Sequence, residues 1–259
     1  MRRAFVALLP RAVALCRELK AFHKTGAFLT RDVAALSCDV FGNASDLCAV
    51  GGCTAGRICL DSPRKCSLDG PATRRVTFLR APLEQVVSSY LYHKSGAEIW
   101  TRRPGMGMLG RFPDELKARG LPKPRKTESY AAFLDRAGSD GLYASMVHDA
   151  GLFDTMKAAH RECVSRPTTC AVACLGAFGN ATAWRAVLAF WEVPATPRAR
   201  LLAALASYYD DVAKRRTAGD PHFTSRRGRD ALRARAAAID AEQFSGWFAG
   251  SGWCRGGVT

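Results

Sequence analysis

Residues 19–38, LKAFHKTGAFLTRDVAALSC, decide how the chain is read. They predict a short strand, a tight turn at Lys24-Thr25-Gly26, and an amphipathic helix whose Leu29, Val33 and Leu36 fall at i, i+4 and i+7 on one face. A unit of this kind can bind an anion. The first turn of the helix presents unpaired N–H groups at the positive end of its macrodipole, Gly26 lets the backbone approach closely, and Lys24 adds a full charge.

A second strand-turn-helix spans residues 74–94, RRVTFLRAPLEQVVSSYLYHK. Val76, Thr77, Phe78 and Leu79 form a β-prone run with Arg80 at its carboxyl end. Pro82 stands where a helix favours its first residue, with φ already fixed and no N–H to leave unpaired. Arg80 and Ser88 can then converge on one ligand at the carboxyl edge of an open α/β sheet, where such sheets bind ligands. A guanidinium matches a phosphate, and a hydroxyl beside it adds a neutral donor.

The pair of units resembles the two cofactor-binding elements of sulfotransferases that use 3′-phosphoadenosine-5′-phosphosulfate (PAPS), above all the Golgi-type carbohydrate enzymes such as the galactose 3-O-sulfotransferases. In that family a His-Lys-Thr-Gly or Pro-Lys-Ser-Gly loop holds the 5′-phosphosulfate; the stretch here is His23-Lys24-Thr25-Gly26-Ala27-Phe28. A strand ending in Arg-Asp-Pro, with Ser eight positions after the Arg, binds the 3′-phosphate; here it is Arg80-Ala81-Pro82 with Ser88. Arg226-Arg227-Gly228 is similar to a basic loop that closes over the 3′-phosphate in some members. Ala81 departs from the usual Asp, and Ala27-Phe28 replace hydroxyl residues that commonly follow the glycine.

The resemblance implies an α/β fold with a P-loop-like parallel β-sheet flanked by helices, followed by a helix-rich C-terminal half. It implies transfer of a sulfuryl group from PAPS, as cosubstrate and without a metal, to a hydroxyl or amine of a carbohydrate. Lys24 would stabilise the charge that grows on the leaving phosphate as the S–O bond breaks. Thr25, Gly26, Ala27 and Phe28 would cradle the 5′-phosphate, while Arg80, Ser88, Arg226, Arg227 and Gly228 would hold the 3′-phosphate. Residues 39–73, between the two units, contain no His and no Glu. Asp39, Asp46 and Asp61 in that stretch are possible bases, His93, farther along the helix that carries Ser88, is the better candidate, and His23 is assigned to shaping the loop.

The chain has 259 residues, 48% of them hydrophobic, enough for one substantial domain over residues 1–259. Its formal net charge of +15 favours anionic partners: a nucleotide, an acidic glycan, nucleic acid or an acidic membrane surface. Two other function classes therefore stand beside the transferase. One is a P-loop phosphotransferase, against which the Walker A pattern is missing; the other is a catalytically silent basic protein that binds acidic glycans or nucleic acid. Under the sulfotransferase reading the partners are PAPS and a carbohydrate acceptor, with no nucleic acid.

Ten cysteines form two clusters, residues 38–66 and 163–174, with Cys16 and Cys254 outside. Neither shows paired Cys-x2-Cys spacing, so disulfides are expected in preference to zinc. Sequons at Asn43-Ala44-Ser45 and Asn180-Ala181-Thr182 point to the same oxidising compartment, the Golgi lumen or secretory pathway, with a cytoplasmic protein as the competing expectation. No run of 18 or more apolar residues could span a bilayer, so membrane attachment is expected only through an anchor outside this chain.

Along the chain, residues 1–18 are expected as a helix or arm, 43–73 as a Cys-rich loop region with one short strand, and 95–127 as a basic lid or acceptor-facing loop. In that lid Trp100, Arg102, Arg103 and Arg111 would meet an anionic sugar. Helices are predicted from Tyr130, over 142–163, 183–190, 198–215 and 230–248. Trp184, Trp191, Trp247 and Trp253 are assigned to packing.

Overall fold

A computed structural model describes residues 16–21, 33, 36, 58–60, 73–105, 112–174, 181–216, 226–251 and 253–254. Strands β1 (Cys16–Ala21), β2 (Ile58–Leu60), β3 (Thr73–Leu79) and β4 (Cys170–Cys174) form one sheet in the order β2-β1-β3-β4. All three pairings are parallel. Parallel strands need crossover connections, so helices cover both faces of the sheet.

Alternation along β3 shows the two layers. Val76 and Phe78 point into a core with Leu19, Val33, Trp184, Val187, Leu188, Trp191 and Leu201. The helices α6 (Ala181–Phe190) and α7 (Ala195–Arg216), with the turn that joins them, supply Trp184, Val187, Leu188, Trp191, Val193, Leu201 and Leu205 to that core. Leu79 and Val172 point the other way, into a larger core with α1 (Pro82–Lys94), α3 (Phe112–Ala118), α4 (Tyr130–Arg136), α5 (Gly141–Ser165) and α8 (Arg226–Gln243). A short helix, α2 (Ile99–Arg102), follows α1. The fold is α/β, as expected, and the C-terminal half is largely helical.

Register is fixed partly by charge. Glu18 faces Arg75 across the ladder, and the carboxylate accepts from Arg75 Nε at 2.7 Å with both side chains almost fully buried. Glu162 on α5 takes a second bond from the same guanidinium at 3.3 Å. Burial raises the Glu18 carboxyl even against Arg75, and burial together with Arg75 lowers the Lys20 ammonium. A one-residue slip would strand these charges on the apolar side of the sheet. At the start of α5, a Cβ on Gly141 would come within 2.6 Å of the Leu134 carbonyl, so only glycine permits α4 and α5 to meet so closely.

Several expectations are corrected. β1 begins at Cys16, inside the stretch assigned to a helix or arm. The segment expected to be an irregular lid contains α2 and α3, and Trp100 packs, partly buried, against the larger core. The helix expected at 230 starts at Arg226 and ends at Gln243, so Arg226-Arg227-Gly228 forms a helical first turn and not a loop. The expected single strand within 43–73 is β2. Of the four packing tryptophans, Trp184, Trp191 and Trp253 are buried and Trp247 partly so.

Candidate active-site crevice

In the order β2-β1-β3-β4 the chain leaves β1 toward one side for β2 and returns to the other side for β3. Such a reversal opens a crevice beyond the carboxyl ends of the two strands. The ladder pairs Ala21, the last residue of β1, with Phe78, two residues before Arg80. The carboxyl ends of β1 and β3 thus lie side by side. Lys24, Thr25, Gly26, Ala27 and Phe28 lie outside the described residues, as do Asp39, Asp46, Asp61 and the two sequon asparagines. Val33 and Leu36 beyond them are helical, Val33 fully buried and Leu36 packed on the same core, as their spacing requires.

At the other strand end, α1 starts at Pro82 as its chemistry demands. Ala81 is the N-cap and has no side chain to bond the first turn; only its carbonyl engages, accepting from Gln85 N–H at 2.9 Å. The first amides of α1 are therefore left without a side-chain cap, the condition that favours an anion there. Glu84 in that turn pairs with Arg233 of α8, which offsets its charge. Arg80 is half-buried and Ser88 half-buried six residues into the helix, about 9 Å along its axis from Pro82. Gly228 and its two preceding arginines open α8, the helix that supplies Arg233.

The C-terminal segment completes this edge, which sequence reasoning missed. Trp253 donates its indole N–H to the Arg80 carbonyl at 2.8 Å and stacks on Phe153 of α5. Cys254, next to it, is disulfide-bonded to Cys174 at the carboxyl end of β4. The usable signals were a lone C-terminal cysteine beside a tryptophan and an even cysteine count. A second disulfide, Cys163–Cys170, ties the end of α5 to the start of β4, and no free cysteine occurs among the described residues. Both bonds fit an oxidising, secreted-type environment. Among the described residues, no helix is long and apolar enough to cross a membrane.

His93 is not brought to the strand ends. It lies eleven residues into α1, about 16 Å along the axis from Pro82. Its ring is fully buried, with Ser89 Oγ 3.3 Å from Nδ1 and Glu98 Oε2 3.5 Å from Nε2. Trp100, Tyr130 and His148 surround it at ring distances of 5.1, 5.6 and 5.8 Å. A base must reach the acceptor proton, and this histidine is walled off from any acceptor. The helix that borders the crevice at its start carries His93 away from it.

Beside His93, His148 Nδ1 lies 2.9 Å from Asp149 Oδ1 on α5. Burial raises the Asp149 carboxyl, but His148, His93 and Ser89 together bring it below its usual range. Burial, and then the Asp149 charge, push the Tyr130 phenol well above its ordinary value.

No family model matches the sequence, no curated protein matches it, and no solved structure matches it.

Proposed function

We propose that the chain is a PAPS-dependent sulfotransferase acting on a carbohydrate hydroxyl or amine, with the nucleotide held across the ends of β1 and β3. The observation that supports this reading is the parallel pairing of Ala21 with Phe78, which sets side by side the ends of the two strands that the sulfotransferase-like motifs follow in sequence. The uncapped start of α1 beside Arg80 supports it as a site for the 3′-phosphate.

In this reading the Lys24 ammonium and the amides of Thr25 to Phe28 meet the charge that develops on the 5′-phosphate as the sulfuryl group departs. These donors gain strength as the S–O bond lengthens, so they stabilise the transition state more than bound PAPS. Arg80 and Ser88 bind the 3′-phosphate, which separates PAPS from ATP. Arg226, Arg227 and the Gly228 backbone add positive potential through the first turn of α8. His93 is withdrawn as the base. The oxidising setting of the disulfides is compatible with the Golgi lumen proposed for the enzyme.

A thermal-shift titration tests it. Adenosine 3′,5′-bisphosphate is expected to raise the melting temperature in a saturable way, and adenosine 5′-phosphate much less. Arg80→Ala should weaken the bisphosphate by about 10- to 100-fold, the loss of a charge-assisted contact to a phosphate. Equal binding of the two nucleotides, or a bisphosphate affinity untouched by Arg80→Ala, overturns the proposal.

A further inference from the structure

We propose that His93, His148 and Asp149 form a binding site for one divalent transition-metal ion of the zinc class, distinct from the nucleotide crevice and independent of the sulfotransferase reading. One ligand atom from each of the three residues lies within 4.8 Å of the other two. Two imidazole nitrogens and a carboxylate oxygen suit zinc, cobalt or nickel. Magnesium and calcium prefer all-oxygen shells.

Three independent features favour an ion over a mere hydrogen-bonded cluster. Asp149 is 3% exposed, and its Oδ2 has no hydrogen-bond partner among the described residues. A buried carboxylate oxygen left unmatched is costly, and a cation would answer it. The nitrogens of His93 are bracketed by the Ser89 hydroxyl and the Glu98 carboxylate. Whichever nitrogen takes the metal, the other keeps an acceptor that fixes the tautomer and raises its basicity, as metal-bound histidines generally require.

The surroundings supply the third feature. Trp100 stacks on His148 with an interplanar angle of 14°, and Tyr130 lies 4.8 Å from the same ring. Aromatic walls thus hold the imidazoles in place. The Tyr130 hydroxyl, buried within electrostatic reach of the carboxylate, has the buried Ser145 hydroxyl beside it. They can accept or donate to a water on the ion. The His148 side chain is 32% exposed, so the cluster meets solvent there, the side from which an ion and a water as fourth ligand would arrive.

The experiment uses the tag-free full chain, stripped with a chelator and dialysed. Cobalt(II) is added while its visible absorption is followed, and zinc(II) is titrated by calorimetry. The expected results are one ion per chain with micromolar or tighter affinity, the intense absorption of a four-coordinate cobalt site, and a zinc-dependent rise in melting temperature. Asp149→Asn, which keeps the side chain's shape, should weaken zinc by at least about 100-fold, more than outer-shell changes cost. His148→Ala, at a partly exposed position, gives the same readout should Asp149→Asn fail to fold. His160→Ala should leave binding unchanged. No binding tighter than millimolar, or equal binding by wild type and both site variants, overturns the site.

Discussion

Glu128 shows how much one side chain can fasten. Its carboxylate accepts from Arg136 Nε and Nη2 at 2.7 and 2.8 Å and from the Arg125 amide at 2.9 Å. Arg136 also donates to the Lys123 carbonyl at 2.9 Å, so the segment before α4 is held to that helix. The bonds from Arg136 hold the Glu128 carboxyl below its usual range, against a partial opposing effect of burial. A depressed carboxyl stabilises the fold above the ordinary glutamate range and loses that contribution as the pH falls through its folded-state value. Glu128→Gln should therefore flatten the decline of the urea midpoint between pH ~5 and ~3 while changing the neutral value far less. An unchanged acid profile would count against the pairing. His93 teaches the converse at this scale. Its position near a helix end reads as a surface histidine, and nothing local announces that Trp100, Tyr130 and His148 will close over it.

Among the elements, α1 is the one most legible in the sequence. Pro82 set its start, and the β-prone run before it, Val76 to Leu79, set the end of β3, which begins three residues earlier at Thr73. Its weak point is also visible there, since Ala81 cannot bond the first turn. Ala81→Asp should stabilise the fold by about 1 kcal/mol as an N-cap, measured by chemical denaturation. If the proposed nucleotide site is right, the same carboxylate should alter bisphosphate affinity, because it would take the amides and add negative charge at the 3′-phosphate. β4 was illegible for a physical reason. Cys-Ala-Val-Ala-Cys has a single β-branched residue and no alternation, and a strand buried on both faces shows no period to read. The helices within 95–127 were hidden by Gly and Pro. Their apolar residues, Trp100, Phe112 and Leu116, are too few to show a face until the core they fill is known. The Val33 and Leu36 spacing, by contrast, predicted the buried face correctly.

For the whole molecule, the proposed site is a product of chain order: the two strands that the motifs follow in sequence lie side by side because β2 and β3 flank β1. The contact on Arg80 comes from far along the chain, where Trp253 is followed by Cys254, which closes a loop on Cys174 with a sequence separation of 80. Replacing both cysteines by serine should cost about 2–5 kcal/mol of stability, read from urea unfolding under oxidising conditions. If the Trp253 contact helps to hold the crevice, the variant should also bind the bisphosphate less well than wild type at temperatures where both are folded. The two disulfides of β4 also differ in timing. Cys163 and Cys170 are only seven residues apart and leave the ribosome almost together. Cys174 must wait for Cys254 through roughly 4–16 s of further translation at ordinary elongation rates. During that wait its thiol is an orphan beside a newly oxidised neighbour, so the nascent chain depends on an isomerase, or on prompt sheet docking, to keep that sulfur for its distant mate.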